Sequence, residues 1–371
     1  MNEQTKVNKR VIAINLPQFH PFKENDEWWG KGFTEWTNVT KAKPRYWGHY
    51  QPQLPTDTGF YDLRLPEARE MQAEMAKEYG IYGFCYYHYW FNGHLLMERP
   101  LDDMLRSKTP DFPFMLCWAN ENWSRNWDGK FSHILIEQKY ALSDDKEHME
   151  YLCSKYFCDS RYIRVDNKPV FVVYKSHQFP QMAETIKVWR ETAKKFNMEL
   201  YLMSSNYGNL SNKEILNLGF DAVFDFQPVK FETFGSWRYN IMFAVKRRLN
   251  RFGFRFPYYF SYKKYVEYQL SRKQDDSLKE YPCVSPGWDN SPRRVDKSFT
   301  AFKGNTPELF EKWFGGVYGR FKPFSTNENF IFINAWNEWA EGNHLEPDRK
   351  WGRKFLEAVR NVIKGNISGK Y

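Results

Sequence analysis

The sequence lacks the short motifs by which nucleotide, phosphate and metal sites are most often recognised. Neither GxGxxG nor GxxxxGK[ST] occurs, so nothing supports a Gly-rich turn that cradles phosphates. HExxH is absent as well, and the spacing of His20, His88 and His344 matches no zinc pattern. The sequence therefore predicts no metal and no cofactor.

Long apolar runs and paired cysteines are missing too. No stretch of 18 apolar residues could span a bilayer, and Met1 to Arg10 is polar rather than signal-like. The five cysteines are an odd number without CxxC, and Cys85 and Cys117 lie inside apolar runs. We expect free thiols and a cytoplasmic location.

Aromatic residues, in contrast, are abundant. They make up 19% of the chain, with 15 Trp, 24 Tyr and 32 Phe. Aromatic rings stack on the faces of sugars and also on bases, so this composition favours a carbohydrate or a nucleic-acid partner.

The net charge of +9 is concentrated in one segment, because residues 237–266 contain eight Lys or Arg and no Asp or Glu. Basic residues interleaved with Ile, Met, Phe and Trp are typical of an interfacial helix, which would make peripheral contact with an anionic membrane. The alternative is an insertion packed on its own domain with a solvated basic face. The segment has no RNA-binding signature, so we predict no nucleic-acid partner.

Eight short apolar runs alternate with helical patterns along the chain. The runs are 11–16, 82–87, 112–118, 169–174, 200–204, 222–226, 281–285 and 330–333. Continuous apolar strands separated by helices predict a parallel sheet buried on both faces. The predicted fold is therefore α/β, a single (β/α)8 TIM barrel over residues 1–371 with long loops at its carboxyl face and the basic insertion at about 237–266. An open doubly wound sheet is the alternative, but no Gly-rich turn follows the first strand.

Polar and aromatic residues follow nearly every predicted strand. Strand ends converge on the carboxyl face of a barrel, where active sites lie. Glu121, Asp128 and Asp289 are candidate substrate ligands or salt-bridge partners at these ends. The long stretch from Pro21 to Asp62 is predicted to be an ordered lid or rim.

Two carboxylates follow the last apolar run, in Trp336-Asn337-Glu338-Trp339-Ala340-Glu341. If the turn is helical, Glu338 and Glu341 share a face and point at one place. Paired carboxylates beside aromatic walls are what acid/base work on a glycosidic bond requires. We therefore predict that Glu338 and Glu341 are catalytic, against the alternative of an ordinary charged pair in a surface turn.

Five stretches of the chain resemble the WbsX-like family of bacterial polysaccharide-biosynthesis proteins. They are Leu16–His20, Trp28–Val39, Phe84–Phe91, Cys117–Trp123 and Asn334–Pro347. The resemblance extends from about Val11 to Ile363. That family is found in O-antigen and capsule loci and has often been called a glycosyltransferase family. It is also similar to glycoside hydrolase family 99, the endo-α-mannosidases, which are (β/α)8 barrels.

The family 99 resemblance implies roles for the two carboxylates. Glu338 would be the base that removes the proton of the 2-hydroxyl, which gives a 1,2-anhydro sugar, and Glu341 would be the acid/base. Ala340 stands where family 99 usually has a polar residue, so mannose specificity does not carry over.

The expected function is that of a retaining glycoside hydrolase or transglycosylase acting on a bacterial surface polysaccharide or its precursor. A glycosyltransferase of O-antigen or capsule biosynthesis and a non-catalytic glycan-binding scaffold remain alternatives. The predicted substrate-binding residues are polar or aromatic: His20, Trp36, Tyr87, His88, Trp118, Asn120, Glu121, Gln227, Trp288, Asp289, Asn337 and His344.

Overall fold

The structure, a computed structural model, describes residues 8–124, 134–229, 237–294 and 298–365, with only the backbone at 237–240. Asp128 lies outside the described residues. Among those described, no helix combines the length and apolar character that a membrane span needs.

Parallel strands form the core. In chain order they are β1 Arg10–Asn15, β2 Gly83–Phe91, β3 Phe114–Trp118, β4 Lys168–Val173, β5 Tyr201–Ser205, β6 Ala222–Phe224, β7 Glu280–Tyr281 continued by Cys283–Val284, and β8 Phe330–Ile333. Each pairs in parallel with the next along the chain, and β1 also pairs with β8. Their side chains are almost all buried, as expected for strands covered on both faces.

The barrel closes through β7, which Pro282 divides into two short pieces. Glu280–Tyr281 pairs with β6, whereas Cys283–Val284 pairs with β8. Proline has no N–H to donate, so it interrupts a ladder, but the Pro282 carbonyl still accepts a hydrogen bond from Phe332 N at 2.8 Å. Within the described residues the strands thus form one closed ring of eight, and the predicted (β/α)8 barrel is confirmed.

Helices cover the outside of the barrel or its carboxyl face. Their bounds are α1 Lys23–Trp29, α2 Glu35–Lys41, α3 Pro66–Glu78, α4 Arg99–Ser107, α5 Leu142–Lys155, α6 Met182–Lys194, α7 Asn212–Asn217, α8 Trp237–Arg251, α9 Tyr262–Ser271, α10 Pro307–Arg320 and α11 Lys354–Lys364. Eight of them match the helical patterns between the apolar runs; α1, α2 and α8 belong to loops at the carboxyl face.

Long excursions build up the carboxyl face. The stretch after β1 contains α1 and α2, so the predicted rim has regular structure. Between β6 and β7 the basic insertion forms α8, and strand Tyr258–Ser261 follows it. That strand pairs in parallel with Thr300–Lys303 from the loop after β7. Two short antiparallel strands, Asn337–Glu338 and Asn343–His344, flank a 3-10 turn after β8.

Candidate active site

A cavity of about 190 Å³ opens at the carboxyl end of the barrel. We call it the dyad cavity. It is lined by residues that follow or end seven of the eight strands: Leu16, Gln18, Tyr87, Tyr89, Ala119, Glu121, Asn122, Trp123, Ser124, Tyr174, Phe226, Trp288, Arg293, Glu338 and Glu341. Aromatic rings form much of the wall, and the acidic pair lies in it.

The local fold after β8 brings Glu338 and Glu341 together. Glu338 ends a two-residue strand, and Glu341 ends the 3-10 turn Trp339–Glu341. Gly342, with φ +55°, then reverses the chain in a conformation that favours glycine. A helical turn was predicted here, and one 3-10 turn is enough to place the two carboxylates on the same side.

Arg293 forms ion pairs with Glu338, Glu341 and a third carboxylate, that of Glu35. Its Nη1 donates to Glu341 Oε1 at 2.6 Å, and its Nη2 donates to Glu338 Oε2 at 2.8 Å. The same guanidinium donates from Nε and Nη2 to Glu35 Oε1 at 2.9 and 2.5 Å. Three carboxylates from α2 and the β8 loop therefore share one cation, and the side chain of Glu35 has no exposed surface.

Burial changes how the pair holds protons. It raises the pKa of Glu338 to about 8; Arg293 opposes the rise, and Glu341 and Glu35 add to it. Burial also raises the pKa of Glu341, again against Arg293. Two carboxyl groups so close to one guanidinium titrate as a pair. A raised pKa favours the protonated form, which is what a general acid needs near neutral pH.

The side chains around the dyad donate hydrogen bonds to the carboxylate of Glu346. Its Oε1 accepts from Gln72 Nε2 at 2.7 Å and Trp336 Nε1 at 2.9 Å. Its Oε2 accepts from Tyr61 OH at 2.8 Å and Trp339 Nε1 at 2.6 Å. This buried carboxylate thereby fixes both indoles that flank the dyad, and it connects them to α3 and to the rim.

Three of the twelve predicted substrate-binding residues line the dyad cavity: Tyr87, Glu121 and Trp288. Tyr87 and Glu121 are in its wall, with Glu121 in an ion pair with Lys175. Trp288 lines both the dyad cavity and a second cavity of about 170 Å³, whereas Asp289 lines only the second. The carboxylate of Asp289 accepts from His49 Nε2 at 2.6 Å and Gln51 Nε2 at 2.7 Å, which attaches the rim to the β7 loop.

His344 also lines the second cavity. Its ring stacks on Trp339 with centroids 3.8 Å apart. Its Nδ1 lies 3.0 Å from the Glu346 carbonyl oxygen, and its Nε2 lies 2.9 Å from Gln53 Oε1. Burial lowers the pKa of His344, and the nearby Asp348 opposes this shift.

His88 and Trp118 do not lie in the cavity wall. Successive side chains of a strand point to opposite faces, so Tyr87 and Tyr89 face the cavity while His88 faces the helices. His88 Nε2 is 2.9 Å from His148 Nε2 on α5. Trp118 is fully buried and stands edge-on to His148 with centroids 4.5 Å apart. Both side chains belong to the packing between barrel and helices.

Three of the predicted ligands are buried outside the cavity wall, where their side chains hydrogen-bond to neighbouring segments: Asn120, Gln227 and Asn337. Asn120 Oδ1 accepts from Lys175 N at 2.8 Å, which joins the ends of β3 and β4. Gln227 Oε1 accepts from Gln269 Nε2 at 3.0 Å. Asn337 Oδ1 accepts from Leu16 N at 2.7 Å, and its Nδ2 donates to Leu16 O at 3.0 Å, so the dyad loop is fastened to the end of β1.

Trp36 and His20 also lie behind the wall. Trp36 packs on Trp339 with centroids 5.5 Å apart, and its Nε1 donates to Tyr61 O at 2.9 Å. His20 lines a different cavity, beside Phe22 and His94, and burial lowers its pKa to about 4. Of the wall residues, sequence reasoning did not select Arg293, whose charge organises the dyad, or Tyr174. It also passed over Glu35, the third carboxylate on Arg293.

No group of three or more His, Cys, Asp or Glu able to hold a metal occurs within the described parts of the chain. All five cysteines are free, and only Cys158 is exposed.

A parallel barrel with an acidic pair in an aromatic cavity at its carboxyl end has the architecture of glycan-active barrel enzymes. The chain belongs to the family described as glycosyltransferase WbsX, whose model matches residues 11–359. This confirms the resemblance seen in the sequence.

Two curated relatives are uncharacterized proteins named WxcX, from Xanthomonas campestris pv. campestris strains B100 and ATCC 33913. Each is 38% identical over 359 residues, which is 95% of this chain and 49% of the relative. The chain therefore spans about half the length of these relatives.

Solved structures share the fold. The GH99 endo-alpha-mannosidase from Bacteroides thetaiotaomicron superposes with a TM-score of 0.60 at 12% identity, over 97% of this chain and 98% of that one. A glycoside hydrolase-like protein gives a TM-score of 0.59 at 13% identity, over 97% and 95% of the two chains.

Proposed function

We propose that the protein is a retaining glycoside hydrolase or transglycosylase that acts on a bacterial surface polysaccharide or its precursor in the cytoplasm. The observation that carries this proposal is the pair Glu338 and Glu341, buried in an aromatic cavity and bridged by Arg293. The fold shared with solved glycoside hydrolases supports it.

The proposed reaction uses both carboxyl groups in each of two steps. In the first, Glu341 gives its proton to the leaving oxygen as the bond from C1 breaks. The 2-hydroxyl oxygen bonds to C1 and gives its proton to Glu338, which forms a 1,2-anhydro sugar. In the second, Glu341 takes a proton from water or an acceptor hydroxyl as that oxygen bonds to C1. The bond between C1 and the 2-oxygen breaks at the same time, and Glu338 returns its proton to the 2-oxygen. The anomeric configuration is retained.

These roles need Glu341 protonated and Glu338 ionised when substrate is bound. Burial raises the pKa of both carboxyl groups in the ligand-free protein, that of Glu338 to about 8. A 2-hydroxyl that donates to Glu338 favours the ionised form of this carboxyl, and exclusion of water strengthens that hydrogen bond. Substrate binding would thereby leave a proton on Glu341, where the leaving group needs it.

Substitution of the dyad tests the proposal, once a glycan array with mass-spectrometric product analysis has supplied a substrate. Glu341→Gln should lose most activity on poor leaving groups, roughly 10²–10⁴-fold. An activated aryl leaving group needs no protonation, so its cleavage should suffer less. Glu338→Gln should be inactive on every substrate, and a 2-deoxy or 2-fluoro substrate should be inert with the wild-type enzyme.

The matched control is Glu311→Gln, which changes a buried carboxyl on α10 that is not part of the cavity wall. It should keep wild-type turnover. Near-wild-type turnover in both dyad variants would refute the proposal, and binding without turnover in the wild type would favour a glycan-binding scaffold.

A glycosyltransferase is the second candidate function, because the matching family carries that description. A transferase and a hydrolase would release different products. Release of a nucleotide or lipid phosphate in step with glycan growth would support a transferase, whereas oligosaccharide released without such a product supports the hydrolase.

A further inference from the structure

The basic insertion exposes large apolar side chains to water. On α8, Ile241, Met242 and Val245 are each more than half exposed. In the turn after the helix, Phe252 is 72% and Phe254 is 54% exposed. Phe256 is exposed as well, and we call this set of exposed apolar residues the insertion face. Soluble proteins rarely expose so many large apolar groups within one short segment without a binding role.

The opposite side of α8 is packed on the domain, so the orientation of the insertion face is defined. Phe243 contacts Tyr258 and Phe260 with centroids 4.9 and 5.9 Å apart. Asn250 Nδ2 donates to Tyr258 OH at 2.9 Å and to Phe256 O at 3.0 Å. Ile241 and Val245 are one turn apart on the side away from these contacts.

Arginines border this apolar surface. Arg247, Arg248 and Arg251 are exposed on α8, beside the apolar side chains. The segment 237–266 contains no Asp or Glu that could neutralise them locally. The insertion face thus combines positively charged side chains with exposed apolar ones, which is the pattern of helices that lie in a membrane interface.

The insertion face is connected to the wall of the dyad cavity. The strand Tyr258–Ser261, on which α8 packs, pairs with Thr300–Lys303. From that second strand, Phe302 N donates to the carbonyl oxygen of Trp288 at 2.7 Å. Trp288 lines the dyad cavity. The face and the cavity mouth therefore belong to the same end of the barrel, joined by a two-stranded sheet.

We propose that the insertion face binds the surface of an anionic phospholipid bilayer. The phenylalanines and aliphatic side chains enter the interfacial layer, and the arginines pair with lipid phosphates. Charge and apolarity together select this partner. A soluble acidic polymer would use the arginines and leave the apolar side chains in water, whereas a neutral protein surface would leave the arginines unused. Membrane-bound protein would then hold the dyad cavity beside the lipid surface.

Vesicle co-sedimentation tests this directly. The probes are vesicles of phosphatidylethanolamine and phosphatidylglycerol at 3:1, with pure phosphatidylcholine for comparison. We expect binding to the anionic vesicles only, and its loss at about 1 M salt, where the screening length is about 3 Å. Each basic side chain at an anionic surface is worth roughly a five-fold change in partitioning. The triple variant Arg247→Glu, Arg248→Glu, Arg251→Glu should therefore bind at least about 100-fold more weakly.

The matched control reverses the same number of charges elsewhere. Lys187→Glu, Lys194→Glu, Lys195→Glu changes three exposed residues on or directly after α6, and it should bind like the wild type. Phe252→Ser with Phe254→Ser tests the apolar part and should lower binding about 10-fold or more, whereas Leu65→Ser with Leu142→Ser, also exposed, should not.

The proposal would be overturned if the arginine variant bound anionic vesicles as well as its control does. It would also be overturned if the wild type bound phosphatidylcholine vesicles equally well, or if salt did not weaken the binding. Light scattering that shows self-association lost in Phe252→Ser, Phe254→Ser would assign the face to a second copy of the chain. Because vesicle binding needs no turnover, its outcome is separate from that of the glycosidase proposal.

Discussion

Arg293 should be worth several kcal/mol to the folded protein, because the buried carboxylates of Glu35 and Glu338 and the partly buried carboxylate of Glu341 converge on it. Arg293→Met removes the positive charge and leaves Glu35, Glu338 and Glu341 facing one another. Removing one partner of a buried ion pair costs about 3–5 kcal/mol. An unfolding entropy of about 2.1 cal/mol/K per residue over 371 residues gives about 0.8 kcal/mol/K. The expected fall in Tm is therefore about 4–6 °C.

The loss should depend on pH. Without Arg293, which holds the pKa of Glu338 and Glu341 down against burial, both pKa values rise further above those of the unfolded chain. Stability is then lost as the pH rises through the folded-state pKa values and regained as the carboxyl groups take up protons. The Tm difference between variant and wild type should be largest near pH 8.5 and smaller near pH 5.5, as measured by calorimetry.

Arg353→Met is the matched control. Arg353 also contacts two carboxylates, those of Asp57 and Glu78, but its side chain is 40% exposed. Exposed pairs contribute about 1 kcal/mol or less, so the control should lower Tm by about 1 °C at either pH. A fall in Tm for Arg293→Met that is no larger than this, or that is the same at both pH values, would refute the electrostatic account of the cluster.

Three further substitutions test the support of the site, with Tm as the measurement. Asn337→Asp would turn a carboxylate toward the oxygens that Nδ2 now contacts in Leu16 and Asn15, and should cost about 2–4 kcal/mol, whereas exposed Asn217→Asp should have little effect. Gly342→Ala would place Cβ 2.9 Å from Gln53 Nε2 at φ +55°, and should cost more than Gly365→Ala, which has φ +75° and open space. Burial lowers the pKa of His148 well below its ordinary value, so the unfolded chain takes up a proton below about pH 6.5 that the folded protein does not. His148→Phe should therefore lose Tm less steeply between pH 6.5 and pH 4 than the wild type.

Most of the barrel could be predicted from sequence because its strands are continuous apolar runs. The eighth strand was predicted with its observed bounds, Phe330–Ile333, and the fourth was displaced by one residue. The seventh gave the weakest signal since Pro282 divides it into two short ladders. Hydrophobic periodicity is a local signal, and it served well where each strand is held by the apolar core.

The candidate site was harder to predict from the sequence, because it is formed by contacts between residues that are far apart in the chain. Arg293 and Glu35 are 258 positions apart and follow no periodic pattern. His88 was proposed as a ligand for its chemistry, while strand alternation makes Tyr87 and Tyr89 the wall residues. That alternation is visible in the sequence, but when both faces of a strand are apolar it does not show which face lies inside.

Glu346 has a practical consequence for identifying the natural substrate. The indoles of Trp336 and Trp339 are held by this carboxylate and not by the dyad. A glutamine at position 338 or 341 would therefore leave these two indoles, which are buried behind the cavity wall, in place while catalysis stops. Such variants are suited to serve as traps: immobilised and exposed to a crude polysaccharide extract, they should retain uncleaved glycan chains, which can then be eluted and sequenced.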